Sequence, residues 1–428
     1  MSAIKTYVER DVSWMYFNYR ILQEAEKEYV PLLERLSFLG IYSNNLDEFF
    51  RVRVASLNRM VESDGISKAN RNKLTRTLKT INQLNKSYSQ EYIEATDHVF
   101  ESLRGHGIRL LKDTELNDEQ KKYLTDLFYD KLNGYVNPIW VDEIKDIAKL
   151  EDNKIYLLVE KTSNETRKKR YAIVKIPDRT YGRWIRIPSS DGFDNIMYLD
   201  DVIRFCMPLI FIGVSPSTYR AYSFKFTKDA EMEVDNYSDY GIMEKIALGV
   251  NSRKAGEAVR LIYDDEMPQE MHAKLSHRLK MDELDTSLAG GRYQNHKDLM
   301  SFPDCGHKDL RYPKWPHIIK PEFLSNDSIL DLIRLKDRFI HVPYHSFDAY
   351  IRVLREAALD PDVKVIKTTL YRLAKDSKVV KALIAAARNG KKVTAVVELL
   401  ARFDEESNKC GASACRRRAS MSSSESKA

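Results

Sequence analysis

Cysteine is nearly absent from this chain. There are four in 428 residues (Cys206, Cys305, Cys410 and Cys415), and none stands at paired metal-ligand spacing. That argues against a disulfide framework and against a zinc knuckle. Long hydrophobic runs are also missing: nothing approaches the roughly 20 apolar residues that a membrane helix needs. The amino-terminal stretch MSAIKTYVERD has no signal-peptide core. The chain is therefore expected to be soluble, intracellular and cytoplasmic, with peripheral attachment the one membrane role left open. A sustained excess of one charge is lacking too. The net charge is +6, but residues from Lys409 onward carry five basic and one acidic side chains, which leaves only +2 for the first 408. Without a basic stripe, a nucleic-acid partner is not expected.

What is present is length and an apolar fraction of 43%. A single core stops growing at roughly 250–300 residues, so several domains are expected. Residues 1–106 read as helical: WMYFNYRILQEAEKEY and PLLERLSFLGIY repeat apolar residues at three and four, and Gly105 and Gly107 are candidate stops. Residues 107–317 read as an α+β region. Asn117 and Gln120 fit a capping box at the start of a helix, and KIYLLVEKTS, RYAIVKIP and RWIRIPS read as strands. Three prolines between Pro313 and Pro321 mark a boundary.

Residues 318–408 change pattern again. The helix SFDAYIRVLREAAL leads to the strand VKVIKTTL, then a second helix, the stop Gly390 and the strand VTAVVELL. That order is a βαβ unit with parallel strands. Its strands are expected to end at Leu370 and Leu400, each followed two residues later by arginine, Arg372 and Arg402. The carboxyl edge of a parallel sheet is where such folds place ligands, and two guanidiniums there suit a polyanion. The plainer alternative pairs each arginine with nearby acids, Asp376 or Asp404 and Glu405. Residues 409–428 have neither periodicity nor core residues and read as a disordered tail.

Four stretches carry a resemblance: RDVSWMYFNYRILQEA, PLLERLSFLGIYSNNLDEFFRVRVASL, LAGGRYQNHKDLMSFP and AARNGKKVTAVVELLARFDEESN. In this order they resemble the large, four-domain polyphosphate kinase family, over Val12 to Asn408. The resemblance implies a multidomain α and β fold: a helical amino-terminal domain, an α+β head domain, and a partial α/β domain similar to phospholipase D. It implies reversible transfer of the terminal phosphoryl group of ATP to polyphosphate, with Mg²⁺, through a phosphohistidine, and ATP, ADP and polyphosphate as ligands. A homo-oligomer is expected of the intact protein. Carried over by motif, Asn45 of SNNLDEF would contact the nucleotide, and Arg372 and Arg402 would line the phosphate and magnesium site. Guanidinium has no free lone pair, so the two arginines read as phosphate clamps beside the metal.

Other residues carry plainer readings. Asn45 with Glu48 would also suit a helix N-cap and capping box. His345 in HVPYHSFDAY reads as a helix-cap neighbour or supporting group. Gly290 and Gly291 before Arg292 read as a turn rather than a phosphate loop. The family's nucleophilic histidine belongs to a motif downstream of ARFDEE, so no catalytic histidine is assigned in this chain. After Asn408 the sequence departs from the family in a way that a shifted reading frame would explain, and the chain is expected to be inactive alone. Two further readings are a residual nucleotide- or polyphosphate-binding and oligomerisation module, and a phospholipase D-like phosphodiesterase supported only by sheet topology.

Overall fold

In the computed structural model, the described residues are 7–63, 65–144, 150–213, 216–228, 258–281, 286–324, 327–374, 376–398 and 422–425. They fall into two compact units, one from residue 7 to 313 and one from residue 314 onward.

The first unit begins with helices α1 (Arg10–Ala25), α2 (Leu32–Phe49), α3 (Ala55–Glu62) and α4 (Lys68–Gly105). Apolar residues at helical spacing put Met15 and Leu22 of α1, Leu36 and Leu39 of α2, and Ile81 and Val99 of α4 into one core. Each such side chain contributes about 1.5–3 kcal/mol by burial. Ser67 caps α4, its side chain accepting from the Asn70 amide. The helix stops at Gly105, and Gly107 follows with φ +82°, a left-handed turn that favours glycine. Between α2 and α3 the helix widens into a π turn, Phe50–Val54, where Phe49 and Phe50 are both buried.

Beyond α4 lie two sheets. Strands β1 (Ile108–Leu111), β5 (Trp184–Ile187) and β6 (Asp194–Tyr198) form one in the order β1-β6-β5. The other runs β2-β4-β3-β7-β8-β9, from strands β2 (Pro138–Trp140), β3 (Ile155–Ser163), β4 (Lys169–Lys175), β7 (Ser217–Lys228), β8 (Ala258–Tyr263) and β9 (Thr286–Ala289). All its pairs are antiparallel except β8 with β9. Helix α5 (Asp118–Leu127) opens with the expected capping box, Asn117 and Gln120 exchanging side-chain and backbone bonds.

The second unit contains helices Ile329–Leu335, Asp348–Leu359 and Lys378–Arg388 and strands β10 (Val365–Leu370), β11 (Lys392–Val397) and β12 (Ser422–Glu425). β10 and β11 are parallel neighbours, as the βαβ pattern requires. Two expectations need correction. β11 ends at Val397, not Leu400. The tail is not wholly formless: Ser422–Glu425 pairs in parallel with β11, from Thr394↔Ser422 to Val397↔Glu425. An open strand edge recruits extended backbone whatever its side chains, which is why hydrophobic patterning gave no sign of this strand.

Candidate functional site

Asn45 lies inside α2, thirteen residues past its first residue, so the N-cap reading is overturned. The helix starts earlier because Leu33, Leu36 and Leu39 are buried ahead of the polar SNN triplet and Leu46 and Phe49 after it. The Asn18 side-chain amide, 1% exposed, donates to the Tyr42 carbonyl at 3.2 Å, and its oxygen accepts from Asn45 Nδ2 at 3.2 Å. A carbonyl can only accept, so this chain fixes both amide orientations and leaves Asn45 Oδ1 as the acceptor for a further donor.

Two residues on, Asp47 faces the interior. Its carboxylate accepts from Lys225 Nζ of β7 and, at 3.0 Å, from Arg260 Nη1 of β8. All three are at least 95% buried. Burial alone would raise the Asp47 carboxyl, but the two cations together hold it below its ordinary value. The Arg260 guanidinium also stacks 4.4 Å above the Phe50 ring, beside the π turn. None of this cluster was identified from sequence. The strand SFKFTK gave no signal of it, because alternation puts Lys225 on the face opposite Phe224 and Phe226, which in sequence reads as a solvent face.

The chain bends at Arg292, after Gly290 and Gly291. A Cβ at Gly290 would come within 2.3 Å of Ile262 Cγ2, and Gly291 has φ +76°. Arg292 pairs with Asp113 at 2.7 Å and Asp201 at 2.8 Å, so its charge is spent inside the fold. The bend borders a cavity of about 760 Å³ whose wall carries both signs, with Arg104, Arg109 and Lys112 beside Asp97, Glu101 and Asp265. Behind it, Asp264 is pushed up to about 6 by burial, which outweighs Arg204.

Arg372 belongs to the second unit and lies on the surface, two residues past β10. Leu370 is in register with Val397, and the Glu398 amide donates to the Leu370 carbonyl at 2.9 Å, so both strands end level at their carboxyl edge. The Arg372 guanidinium lies 5.9 Å from the Tyr371 ring centre. Arg402 lies outside the described residues. Counting two residues past Val397 reaches Leu399, so the equal offset expected of the two arginines does not hold. Asn45 and Arg372 are each placed within their own unit. His345 uses Nδ1 to accept from the His341 amide at 2.8 Å, a supporting contact. The chain's His-x-Lys triplet, His272 to Lys274, belongs to the helix Gln269–Arg278 of the first unit and not to the βαβ segment, and gives no support to a phosphodiesterase. Among the described residues no group of three histidine, cysteine or carboxylate side chains could hold a metal, and no helix is long and apolar enough to cross a membrane.

Three domain models match in order: polyphosphate kinase N-terminal domain over residues 7–111, middle domain over 119–302, and C-terminal domain 1 over 328–418. This chain belongs to the polyphosphate kinase family. Polyphosphate kinase of Vibrio cholerae is 37% identical over 415 residues, which is 95% of this chain and 58% of that protein. The Escherichia coli K12 protein of the same name is 36% identical over 425 residues, 95% of this chain and 60% of its own length. The crystal structure of polyphosphate kinase from Porphyromonas gingivalis superposes with a TM-score of 0.79 at 28% identity, covering 99% of this chain and 60% of that one. The chain thus spans about three fifths of the length of these relatives. The helical start and the mixed sheets agree with that structure.

Proposed function

We propose that this chain supplies nucleotide- and phosphate-holding parts of a polyphosphate kinase, the phosphotransferase that reversibly moves the terminal phosphoryl group of ATP to polyphosphate. The observation that carries this reading is the ordered match of three of the family's domains across nearly the whole chain. Geometry supports two parts of it. Asn45 presents a fixed amide acceptor, suited to a donor on the nucleotide base. Arg372 is assigned the binding of phosphate oxygens through charge-assisted bonds, a role supported by its exposure at the carboxyl edge of a parallel strand pair. Arg402 is assigned the same role from its motif. A clamp of this kind offsets the charge that shifts onto oxygen as the phosphoryl group transfers.

The described residues do not fit a protein-held Mg²⁺. In this reading the ion is bound through the ligand's phosphate oxygens, and no step is assigned to it. The family's histidine motif is not among those recognised in this sequence, so we assign phosphoryl acceptance to none of the nine histidines present. Assembly with like subunits, and no nucleic-acid partner, belong to the same reading.

The test is incubation of the purified chain with labelled ATP and Mg²⁺, alongside equilibrium binding of ATP. Expected are measurable ATP binding that Asn45→Ala weakens, and no acid-labile, base-stable protein label. Stoichiometric phosphohistidine would return the nucleophile to this chain, with His345 tested first. Absence of ATP binding would reject the holding role.

A further inference from the structure

Beside the buried Asp47 cluster, within the first unit, lies a small cavity of about 50 Å³. Tyr42, Lys225, Arg260, Gln294, Asn295 and His296 all line it. Tyr42 and Arg260 are each only 3% exposed, yet the Tyr42 hydroxyl and Arg260 Nε have no hydrogen-bond partner, and neither has His296 Nδ1. Lys225 donates to Asp47 and, at 3.0 Å, to Asn295 Oδ1, which uses two of its three protons. Buried donors left without acceptors are rare, because each forfeits its hydration.

The charge does not balance either. Two cations, Lys225 and Arg260, share the single carboxylate of Asp47. Burial holds both cations below their ordinary pKa values, with Asp47 only partly opposing it. Water could satisfy the orphan donors, and a space of this size would admit a few molecules, each needing roughly 10–15 Å³ of such volume. Water would not answer the surplus positive charge, whereas an anion answers both deficits.

We propose that this cavity binds a small monovalent inorganic anion of halide size, held by the Tyr42 hydroxyl, Arg260 Nε and Lys225 Nζ. The site is separate from Asn45: Tyr42 and Asp47 point from α2 toward the six-stranded sheet, while Asn45 reaches Asn18 of α1. An anion seated there ties α2 to β7 and β8 through all three donors. It therefore binds the folded chain and not the unfolded one, and it stabilises by mass action.

The test measures urea midpoints of the full chain while chloride replaces gluconate at constant ionic strength, with inorganic phosphate in a parallel series. A saturable rise in the chloride series is expected. Tyr42→Phe, which keeps the ring packing, should raise the half-saturating concentration about tenfold by removing one donor to a charged ligand. Saturation in the phosphate series alone, with the same sensitivity to Tyr42→Phe, would overturn the proposal, because phosphate is neither of halide size nor purely monovalent. Bromide-soaked crystals of the wild-type chain should show an anomalous peak within about 3.5 Å of the Tyr42 hydroxyl. Midpoints that do not depend on the anion, stabilisation that ignores Tyr42→Phe, or crystals with water alone in the cavity would each overturn the proposal.

Discussion

The two units handle charge in opposite ways. In the first, ionic side chains are driven into the interior and matched there. Arg183, 3% exposed, holds Asp200 with two bonds and Asp298 with a third. Asp201, fully buried, is shared by Arg204, Arg292 and the Tyr293 hydroxyl. In the second, the ion pairs lie nearer the surface, such as Lys381 with Asp376 and Arg334 with Asp331, and the core is almost purely aliphatic: Leu354, Leu383, Val393 and Val397. A buried, matched charge holds the fold together and has nothing left for a ligand. An exposed charge at a strand end contributes little to folding and can serve binding. Apart from Lys225 and Arg260, which outnumber their one carboxylate Asp47, ligand-facing cations therefore belong at the edge of β10, and the arginines around Asp200 and Asp201 are structural.

The comparison breaks most visibly at Arg183. Arg183→Met keeps the stem but strands the Asp200 carboxylate in the interior, and removing one partner of a buried pair costs about 3–5 kcal/mol. Hydrogen exchange should show protection lost across residues 183–200 while the helix Lys378–Arg388 keeps its own. A loss under about 1 kcal/mol in urea unfolding would mean the network is not structural. Leu383→Ala is the counterpart in the second unit. It empties a fully buried site and should cost about 2–4 kcal/mol, with loss of protection confined to residues beyond 327. Equal loss in both units would contradict their independence as cores.

How far the sequence alone reached follows the same division. Local devices were legible: the Asn117–Gln120 box, the stop at Gly105, the βαβ order and the parallel pairing of β10 and β11 all follow from spacing over a few residues. Interior ion pairs were not, because periodicity marks which positions are buried but not which distant position answers them. Asp47 meets Lys225 across 178 residues and Arg260 across 213. The same limit applied to Asn45, whose capping reading used only its neighbours, whereas burial of residues before and after it carried the helix straight through. Of the candidate site, the motif supplied the residues, and the structure describes the surroundings of two of the three.

A pH experiment sharpens the first half of the comparison, since interior charge need not stabilise. Burial raises Asp264 to about 6, against an ordinary value of 3.8. A carboxyl with a raised folded value stabilises fully below the unfolded value and loses that contribution as pH climbs through about 6. Asp264→Asn should then be more stable than the wild type at pH 8 by about 1 kcal/mol and lose the advantage near pH 4. His296 acts in the opposite sense: burial first, then Arg183, lowers it to about 4. Its contribution is complete above 6.5 and is lost as pH falls toward 4, so the variant isolates Asp264 from it. A variant less stable than the wild type at pH 8 would show that the Arg204 contact outweighs the burial of Asp264.

The smallest change in stability is expected at Arg372, and that smallness decides whether its charge serves binding. Its side chain lies at the surface past the end of β10, so Arg372→Ala removes little buried surface. The urea midpoint of the second unit should move by no more than about 0.5 kcal/mol. Affinity for polyphosphate should nevertheless fall about tenfold or more, since a hydrogen bond between charged groups contributes about 1.5–3 kcal/mol. Arg372→Lys separates geometry from charge. Lysine keeps the charge but not the planar fork, so a clamp that uses two bonds should be only partly restored, while simple attraction should be restored fully. If instead Arg372→Ala destabilises the unit by as much as Leu383→Ala does, the arginine holds the strand end together. The comparison between interior and edge charge would then fail at the one residue where both a family motif and a strand end point to a ligand.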